Sequence, residues 1–315
     1  MLSRVAASLY VAGQQLERAD NLARILVVHS DLSLDNRQRD RNAFWSRYSR
    51  LAGLPEPATP NRATAVEMTI AGDGRRSIRA SLAAARRAAN SVRPSLSTEV
   101  YERINSLYWQ VDQRGSVDVH SLLMTVQLAV HTITGLVEDS MPHDEPRDFV
   151  RLGRFVERAG NGIRLVSTKW HELSRDPDDE LEWAAVLKCT WSFEAHQMER
   201  SGVVDGPGVA QSVLLDGRLP RSVAFSVQEA LQSVVRIDRP GGRRSLAQRA
   251  LIEAAACCAA GAAGADVGVL LDGNRLEGLL ERAERAIRDT YFQPVRVAST
   301  SHGDGTTQPQ PQQQQ

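Results

Sequence analysis

Apolar residues recur every three or four positions through long stretches of the chain that contain no proline. Near the N-terminus, Leu9, Leu16, Ala19, Ala23 and Leu26 fall on one face of a helix that turns by about 100° per residue. Strict two-residue alternation of β-branched residues, the pattern of a half-buried strand, does not occur. Because proline breaks helix interiors, the proline-free intervals mark the candidate helices. The pattern predicts an all-α fold.

Proline positions and apolar spacing together place the helices. They predict helices at residues 4–28, 39–52, 61–70, 76–93, 97–111, 118–139, 147–173, 180–201, 219–238, 245–262 and 275–291. The apolar run at 213–215 fits either a short strand or the end of a helix. Residues 299–315 are polar and rich in glutamine and proline, so they cannot bury apolar surface and are predicted to be a disordered tail.

Two segments of the chain resemble each other. Residues 13–26 read GQQLERADNLARIL and residues 153–166 read GRFVERAGNGIRLV, with six of the fourteen positions identical. A second match, RSIRASL at 76–82 and RSVAFSV at 221–227, follows in the same order at a similar offset. These matches predict duplication of a helical unit. We therefore expect one helical domain at 1–293, a bundle built from related halves at about 1–140 and 141–293.

The repeated segments carry the same polar residues, which we call the polar seam. Its members are Glu17, Arg18, Asn21 and Arg24 in the first half and Glu157, Arg158, Asn161 and Arg164 in the second. In each half the Glu, the Asn and the second Arg share one helix face. Facing copies would join each Glu to an Arg of the opposite helix through Arg–carboxylate forks. The alternative is an ordinary solvated face with pairs inside each helix.

Composition narrows the function classes. Thirty-eight basic and thirty-eight acidic residues cancel, which argues against a general binder of nucleic acid or membrane surfaces. The three cysteines form no CxxC pair and suit a reducing compartment. The N-terminus lacks signal-peptide features, and the apolar run at 254–265 is too short for a membrane span. These features predict a cytoplasmic protein.

Signatures of self-contained catalysts are absent. No P-loop, GxSxG, HExxH or Glu-x-x-His pattern occurs, so no cofactor and no metal is predicted. The most ligand-like cluster is His143, Asp144 and Glu145, which also suits the start of a helix. Cys189 has His196 seven positions away, and we expect a buried structural cysteine rather than a nucleophile.

One predicted helix is strongly basic. It carries Arg75, Arg76, Arg79, Arg86, Arg87 and Arg93, with no acidic residue before Glu99. An anion or nucleic acid could bind there, but no aromatic residue interleaves with these arginines to stack on bases. We prefer a solvated or partner-facing helix.

Several longer motifs carry a family resemblance. They are MLSRVAASLYVAGQQLERADNLARIL at the N-terminus, SMPHDEPRDFVRLGRFVERA at 140–159, WAAVLKCTWSFEA at 183–195, LLDGRLPRSVAFSVQEAL at 214–231 and IRDTYF at 287–292. Over about residues 1–293 the chain resembles the bacterial α-E domain family, a helical family without an established activity. Arg154 and Glu194 lie within these motifs and are secondary site candidates, as are Asp144 and Glu145.

The resemblance names partners more clearly than chemistry. The family occurs with a circularly permuted ATP-grasp protein and a transglutaminase-like protein, which implies a system that makes or remodels amide bonds. We therefore expect a non-catalytic accessory protein with a protein partner. The alternatives are an enzyme that uses Glu145 or Glu157 in a cleft between the halves, and an anion or nucleic-acid binder. Val11, Gln14 and His143 depart from the family pattern, which puts an equivalent site in both halves in doubt.

Overall fold

The computed structural model describes residues 1–35, 41–72, 76–113, 115, 117–173, 179–238, 241–264, 267–272 and 274–293. Within these ranges it contains fourteen α-helices and no β-strand, which confirms the all-α fold class. The tail predicted at 299–315 and the side chain of Arg75 lie outside the described residues.

The helices follow one another with short connections. In chain order they are α1 (Ser3–Asp35), α2 (Arg41–Ala52), α3 (Arg62–Ile70), α4 (Ile78–Ser91), α5 (Thr98–Asp112), α6 (Val119–Ser140), α7 (Glu145–Leu173), α8 (Glu180–Cys189), α9 (Phe193–Glu199), α10 (Gly206–Leu215), α11 (Val223–Ile237), α12 (Leu246–Ala262), α13 (Val267–Asp272) and α14 (Arg275–Ile287). A 3₁₀ turn at Arg93–Ser95 precedes α5, and a π-helical turn at Arg288–Phe292 follows α14.

Four sequence predictions differ from the structure. The first helix, predicted to end at residue 28, continues to Asp35 as α1. The segment 180–201 is not one helix: it breaks into α8 and α9 at residues 190–192. The pattern also missed α10 and α13. Both are short and contain few polar residues, so they lack the alternation of apolar and polar faces that indicates a helix. The apolar run at 213–215 forms the last turn of α10, so the helical alternative is the right one.

The long helices α1 and α7 form the centre of the bundle. They pack against each other, and α1 also contacts α4, α6 and α8, while α7 contacts α10, α11 and α14. Both helices are therefore enclosed on most of their circumference, and Leu9, Leu26, Val156 and Val166 are fully buried. Because polar positions on such a helix also point inward, they must find partners inside the protein.

Two glycines allow the central helices to cross closely. A Cβ atom at Gly13 would overlap the carbonyl oxygen of Val150, and a Cβ atom at Gly153 would overlap that of Tyr10. The two contacts are equivalent, since 13 and 153 correspond in the repeat, as do 10 and 150. The crossing therefore has pseudo-two-fold symmetry. Descent of the halves from one duplicated unit stays a prediction.

Helix α6 has the length and composition of a membrane span, and within the described ranges it alone does. Core helices of globular proteins have the same features. Leu122, Val126 and Ile133 of α6 are buried against the rest of the bundle. One face of α6 thus packs into the core, while Met124 and Leu128 are exposed on the helix.

Candidate functional site

Two reciprocal ion pairs join α1 to α7, one turn beyond the glycine crossing on each helix. Arg18 donates from Nε to Oε1 of Glu157 at 2.8 Å and from Nη2 to Oε2 at 2.7 Å. Arg158 donates to Glu17 through the same atoms at the same distances. Such forks are directional and charge-assisted. The polar seam thus joins each Glu to an Arg of the opposite helix.

These charges lie inside the protein rather than on a solvated face. Glu17 is 1% exposed and Glu157 is 6% exposed. Burial alone would raise the pKa of Glu17, but the guanidinium of Arg158, assisted by Arg221, outweighs it and lowers the pKa to about 2. Burial acts to lower the pKa of Arg158, but the carboxylates of Glu17 and Asp20 outweigh it and raise the pKa, which keeps the guanidinium charged. The seam is a buried electrostatic lock between the halves.

On the Glu17 side the network extends through Asp20. This carboxylate accepts hydrogen bonds from Arg24, one turn later on α1, and from Nη2 of Arg221 at 2.9 Å. Arg221 precedes α11 and also lies 3.3 Å from Glu17 and from Nε2 of His131 on α6. Burial acts to raise the pKa of Asp20, but Arg24 and then Arg221 outweigh it and hold the pKa well below its usual range.

On the Glu157 side the equivalent network is smaller. The position that corresponds to Asp20 is Gly160, so Arg164 instead donates to Oδ1 of Asn161, at 3.0 Å. Burial and then the charge of Arg76 lower the pKa of Arg164. Arg76 and Arg221 are the first residues of the second sequence match, and each brings a cation towards seam residues of the opposite half, Arg76 to Arg164 and Arg221 to Glu17. The two halves thus have equivalent Glu–Arg pairs, but the charged residues around those pairs differ.

A cavity opens beside the Glu17 side of the seam. Its volume is about 370 Å³, and it is lined by Glu17, Asp20, Val130, His131, Thr134, Arg154, Arg158, Thr190, Trp191, Pro220 and Arg221. Its walls therefore come from both halves of the chain. A volume of this size suits a small organic molecule.

Trp191 forms one wall of this cavity in a strained backbone conformation. The amide N–H of Ser192 bonds the carbonyl oxygen of Leu187, and that of Trp191 bonds Lys188, which is the Schellman arrangement at the end of α8. Glycine usually fills the left-handed position of this motif, but here Trp191 has a φ of +52°. Its ring lies 5.3 Å from Arg24 and 5.0 Å from Arg221, and these cation–π contacts offset the strain.

Arg154 reaches the cavity from α7. Its side chain is 16% exposed, and its guanidinium lies 4.6 Å from the ring of Phe155. Burial, and then the repulsion of Arg158, lower the pKa of Arg154 to about 9. The corresponding first-half residue is the neutral Gln14, so the two halves differ at this position as well.

The remaining sequence candidates lie outside the cavity. Asp144 is exposed, Glu145 begins α7 and pairs with the N-terminal ammonium group at 3.1 Å, and Glu194 is exposed on α9. His196 is engaged through its two ring nitrogens by Ser212 and by the carbonyl oxygen of Val203.

Cys189 is buried, and burial raises the pKa of its thiol to about 12. That shift opposes formation of a thiolate at neutral pH. Among the described residues no group of three or more His, Cys, Asp or Glu side chains is arranged to hold a metal ion.

The basic helix predicted at 76–93 corresponds to α4 and the turns around it. Arg86 donates to Asn105 at 2.6 Å and lies 4.9 Å from the ring of Trp109 on α5. Arg93 lies 4.6 Å from the ring of Tyr101. The aromatic partners that the sequence of α4 lacks are thus supplied by α5, and they face these arginines inside the same chain.

Four charged or aromatic residues of the cavity were not among the sequence candidates: Asp20, His131, Trp191 and Arg221. Signals existed for two of them. Arg221 begins the second repeat match opposite Arg76, and Trp191 lies in the motif at 183–195. No sequence signal separates His131 from the other scattered histidines.

Comparison with known proteins gives one relationship. Residues 1–292 match Alpha-E, described as a predicted alpha-helical domain with a conserved ER motif. The Glu-Arg pairs at 17–18 and 157–158, which the structure joins to each other, fit that description. No curated protein matches the chain, and no solved structure does either. Since the match covers nearly all of the described helices, the chain belongs to the Alpha-E family.

Proposed function

We propose that the chain is a non-catalytic accessory protein of an ATP-grasp-linked system that modifies peptides or amide bonds in the bacterial cytoplasm. Its partner is an ATP-grasp ligase-like protein, a transglutaminase-like protein, or both. Membership of the Alpha-E family supports this proposal through the association that the family resemblance implies.

The observation that carries the non-catalytic assignment is the mutual neutralisation of the two Glu–Arg pairs in the polar seam. Each buried Glu is bound by both arms of an Arg fork, so its oxygens are occupied by permanent charges. A general acid or base works best when its pKa lies near the working pH, whereas the pKa of Glu17 is about 2. Arrangements of this kind hold a structure together rather than move protons.

An enzyme is the second candidate, and the cavity favours it. Two carboxylates, Glu17 and Asp20, line a concave site between the halves, as acid/base catalysis would require. Their pKa values are shifted downward, however, away from the range that proton transfer needs. Glu145 is exposed and paired with the N-terminus. The accessory assignment is therefore preferred.

Binding of anions or nucleic acid along α4 is the third candidate. Its arginines Arg86 and Arg93 already face Asn105, Tyr101 and Trp109 of α5. Arg87 is exposed and available. Salt-sensitive binding to an oligonucleotide, weakened by Arg86→Ala and Arg87→Ala, would favour this candidate.

The test combines co-purification with an activity measurement. The tagged chain is isolated from its host and the retained proteins are identified by mass spectrometry. The proposal expects a stoichiometric ATP-grasp or transglutaminase-like protein, whose amide-forming or amide-cleaving rate increases when the purified chain is added. Absence of both protein classes would contradict it, as would turnover of a peptide substrate by the purified chain alone.

A further inference from the structure

The cavity beside Glu17 is surrounded by more positive than negative charge. The guanidinium groups of Arg154, Arg158 and Arg221 and the carboxylates of Glu17 and Asp20 line it. The guanidinium of Arg24 does not line the cavity but is bonded to Asp20. Four positive charges against two negative ones leave two uncompensated, with His131 counted as neutral. Burying unpaired charge is costly, so such an excess favours the binding of an anion.

The neighbouring charges do not remove this excess. Beyond the cavity wall, Glu138, Asp148 and Glu229 face the arginines Arg147, Arg151 and Arg236. Three acidic and three basic groups cancel within that cluster. On the other side of the seam, Arg18 and Glu157 neutralise each other. Arg76 and Arg164 add further positive charge on that side, and none of these neighbouring acidic groups lines the cavity, so they leave its surplus uncompensated.

Arg154 is the cation with the most unused hydrogen-bonding capacity. Its Nε is buried and has no hydrogen-bond acceptor among the described residues. The nearest carboxylate oxygen, Oε1 of Glu138, lies 3.9 Å from its Nη1 and already accepts a hydrogen bond from Arg151. Arg158 and Arg221, in contrast, are bound to Glu17 and Asp20. The buried Nε is out of reach of a ligand, so an incoming oxyanion would meet the Nη groups of Arg154, which donate no hydrogen bond to the described residues.

The other walls suit the organic part of a ligand. Val130, Thr134 and Pro220 present largely apolar surface, and Trp191 is 56% exposed. Trp191 has a left-handed backbone conformation, and this conformation costs free energy. Its ring at the cavity wall offers a flat apolar surface to a ligand. The volume of about 370 Å³ exceeds that of a bare inorganic ion.

We propose that this cavity binds a small organic dianion. Arg154 donates hydrogen bonds to its charged group, Arg158 and Arg221 supply further positive potential, and Trp191 covers its apolar part. A phosphate monoester and a dicarboxylate share this chemistry. This site goes beyond the accessory role, because the charges and the cavity support it whether or not a protein partner binds.

The experiment titrates the full-length protein with inorganic phosphate and, separately, with succinate. Ionic strength is held constant with sodium chloride, and binding is followed by calorimetry and tryptophan fluorescence. Wild-type protein binds at least one of the two dianions. Arg154→Gln weakens that binding by about tenfold or more, as expected for loss of charge-assisted hydrogen bonds. Arg285→Gln, an exposed arginine of α14, serves as the matched control and leaves the affinity unchanged.

Two further variants separate the charge of Arg154 from its hydrogen-bond geometry and the fluorescence signal from binding itself. Arg154→Lys keeps the charge but not the fork, so it binds between wild type and Arg154→Gln. Trp191→Phe loses the fluorescence change but keeps binding by calorimetry. Binding of phosphate alone identifies a phosphoryl group, and binding of succinate alone identifies a dicarboxylate. The proposal is overturned if neither dianion binds, or if Arg154→Gln binds as tightly as wild type.

Discussion

Arg158 holds Glu17 through two parallel hydrogen bonds of 2.8 and 2.7 Å, and Arg18 holds Glu157 through the same two atoms at the same distances. Both forks lie one turn beyond the close glycine contact, on adjacent residues of each helix. Charges that would be costly to bury singly are thus buried as pairs, and each pair joins one half of the chain to the other. The fold depends on this arrangement at its centre.

Acid weakens the protein through Glu17. Its folded-state pKa of about 2 lies below the ordinary value of 4.5, so its stabilising contribution is complete above pH 4.5 and disappears as the pH falls towards 2. We expect the urea midpoint of the wild type to fall over this interval. Glu17→Gln begins less stable at neutral pH and loses less on acidification. As a control, Glu102→Gln, at an exposed position on α5, follows the wild-type curve; parallel curves for all three proteins would contradict the assignment.

A methyl group at the helix crossing destabilises the fold. Gly13→Ala and Gly153→Ala each force a Cβ atom against a backbone carbonyl that cannot move aside, and overpacking of this kind costs about 1–3 kcal/mol. The control is Gly135→Ala on α6, where a Cβ atom meets nothing within 4 Å. That change gains about 0.5–1 kcal/mol from helix propensity. Urea unfolding separates the cases, and equal stability of Gly153→Ala and Gly135→Ala would rule out the close crossing.

The backbone at Trp191 can be tested by two truncations. Both remove the ring contacts with Arg24 and Arg221, but only glycine relieves the left-handed strain, which costs other residues about 1–2 kcal/mol. Trp191→Gly should therefore be more stable than Trp191→Ala by about 1 kcal/mol in thermal or urea unfolding. In an ordinary helical position the order would be reversed. Finding alanine the more stable of the two would show that α8 does not end as described.

The sequence indicates the seam because its chemistry is local. Glu17, Arg18 and Arg24 repeat at 157, 158 and 164 with helical spacing. When two central helices carry the same charged positions, these side chains can avoid unpaired burial by pairing with each other. The all-α fold follows from the apolar period in the same way.

Other features depend on contacts that spacing does not encode. Trp191 fills a position where glycine is the usual signal, so the break between α8 and α9 left no trace in the pattern. The unused donors of Arg154 depend on Glu138 being shared with Arg151, which is a matter of packing. Asp20 and Gly160 occupy the same position of the repeat. Because only Asp20 carries a charge, the larger charge network forms on the Glu17 side of the seam.

The measurement that tests the buried lock most directly is a double-mutant cycle on Arg18 and Glu157, because the fork of Arg18 is the ion pair that the structure gives Glu157. Arg18→Met, Glu157→Gln and the double variant are unfolded in urea beside the wild type. The reciprocal-fork account predicts a double variant less destabilised than the sum of the singles, with a coupling of about 1–3 kcal/mol. Additivity to within about 0.5 kcal/mol would mean that the two side chains do not act together, and the account would be wrong.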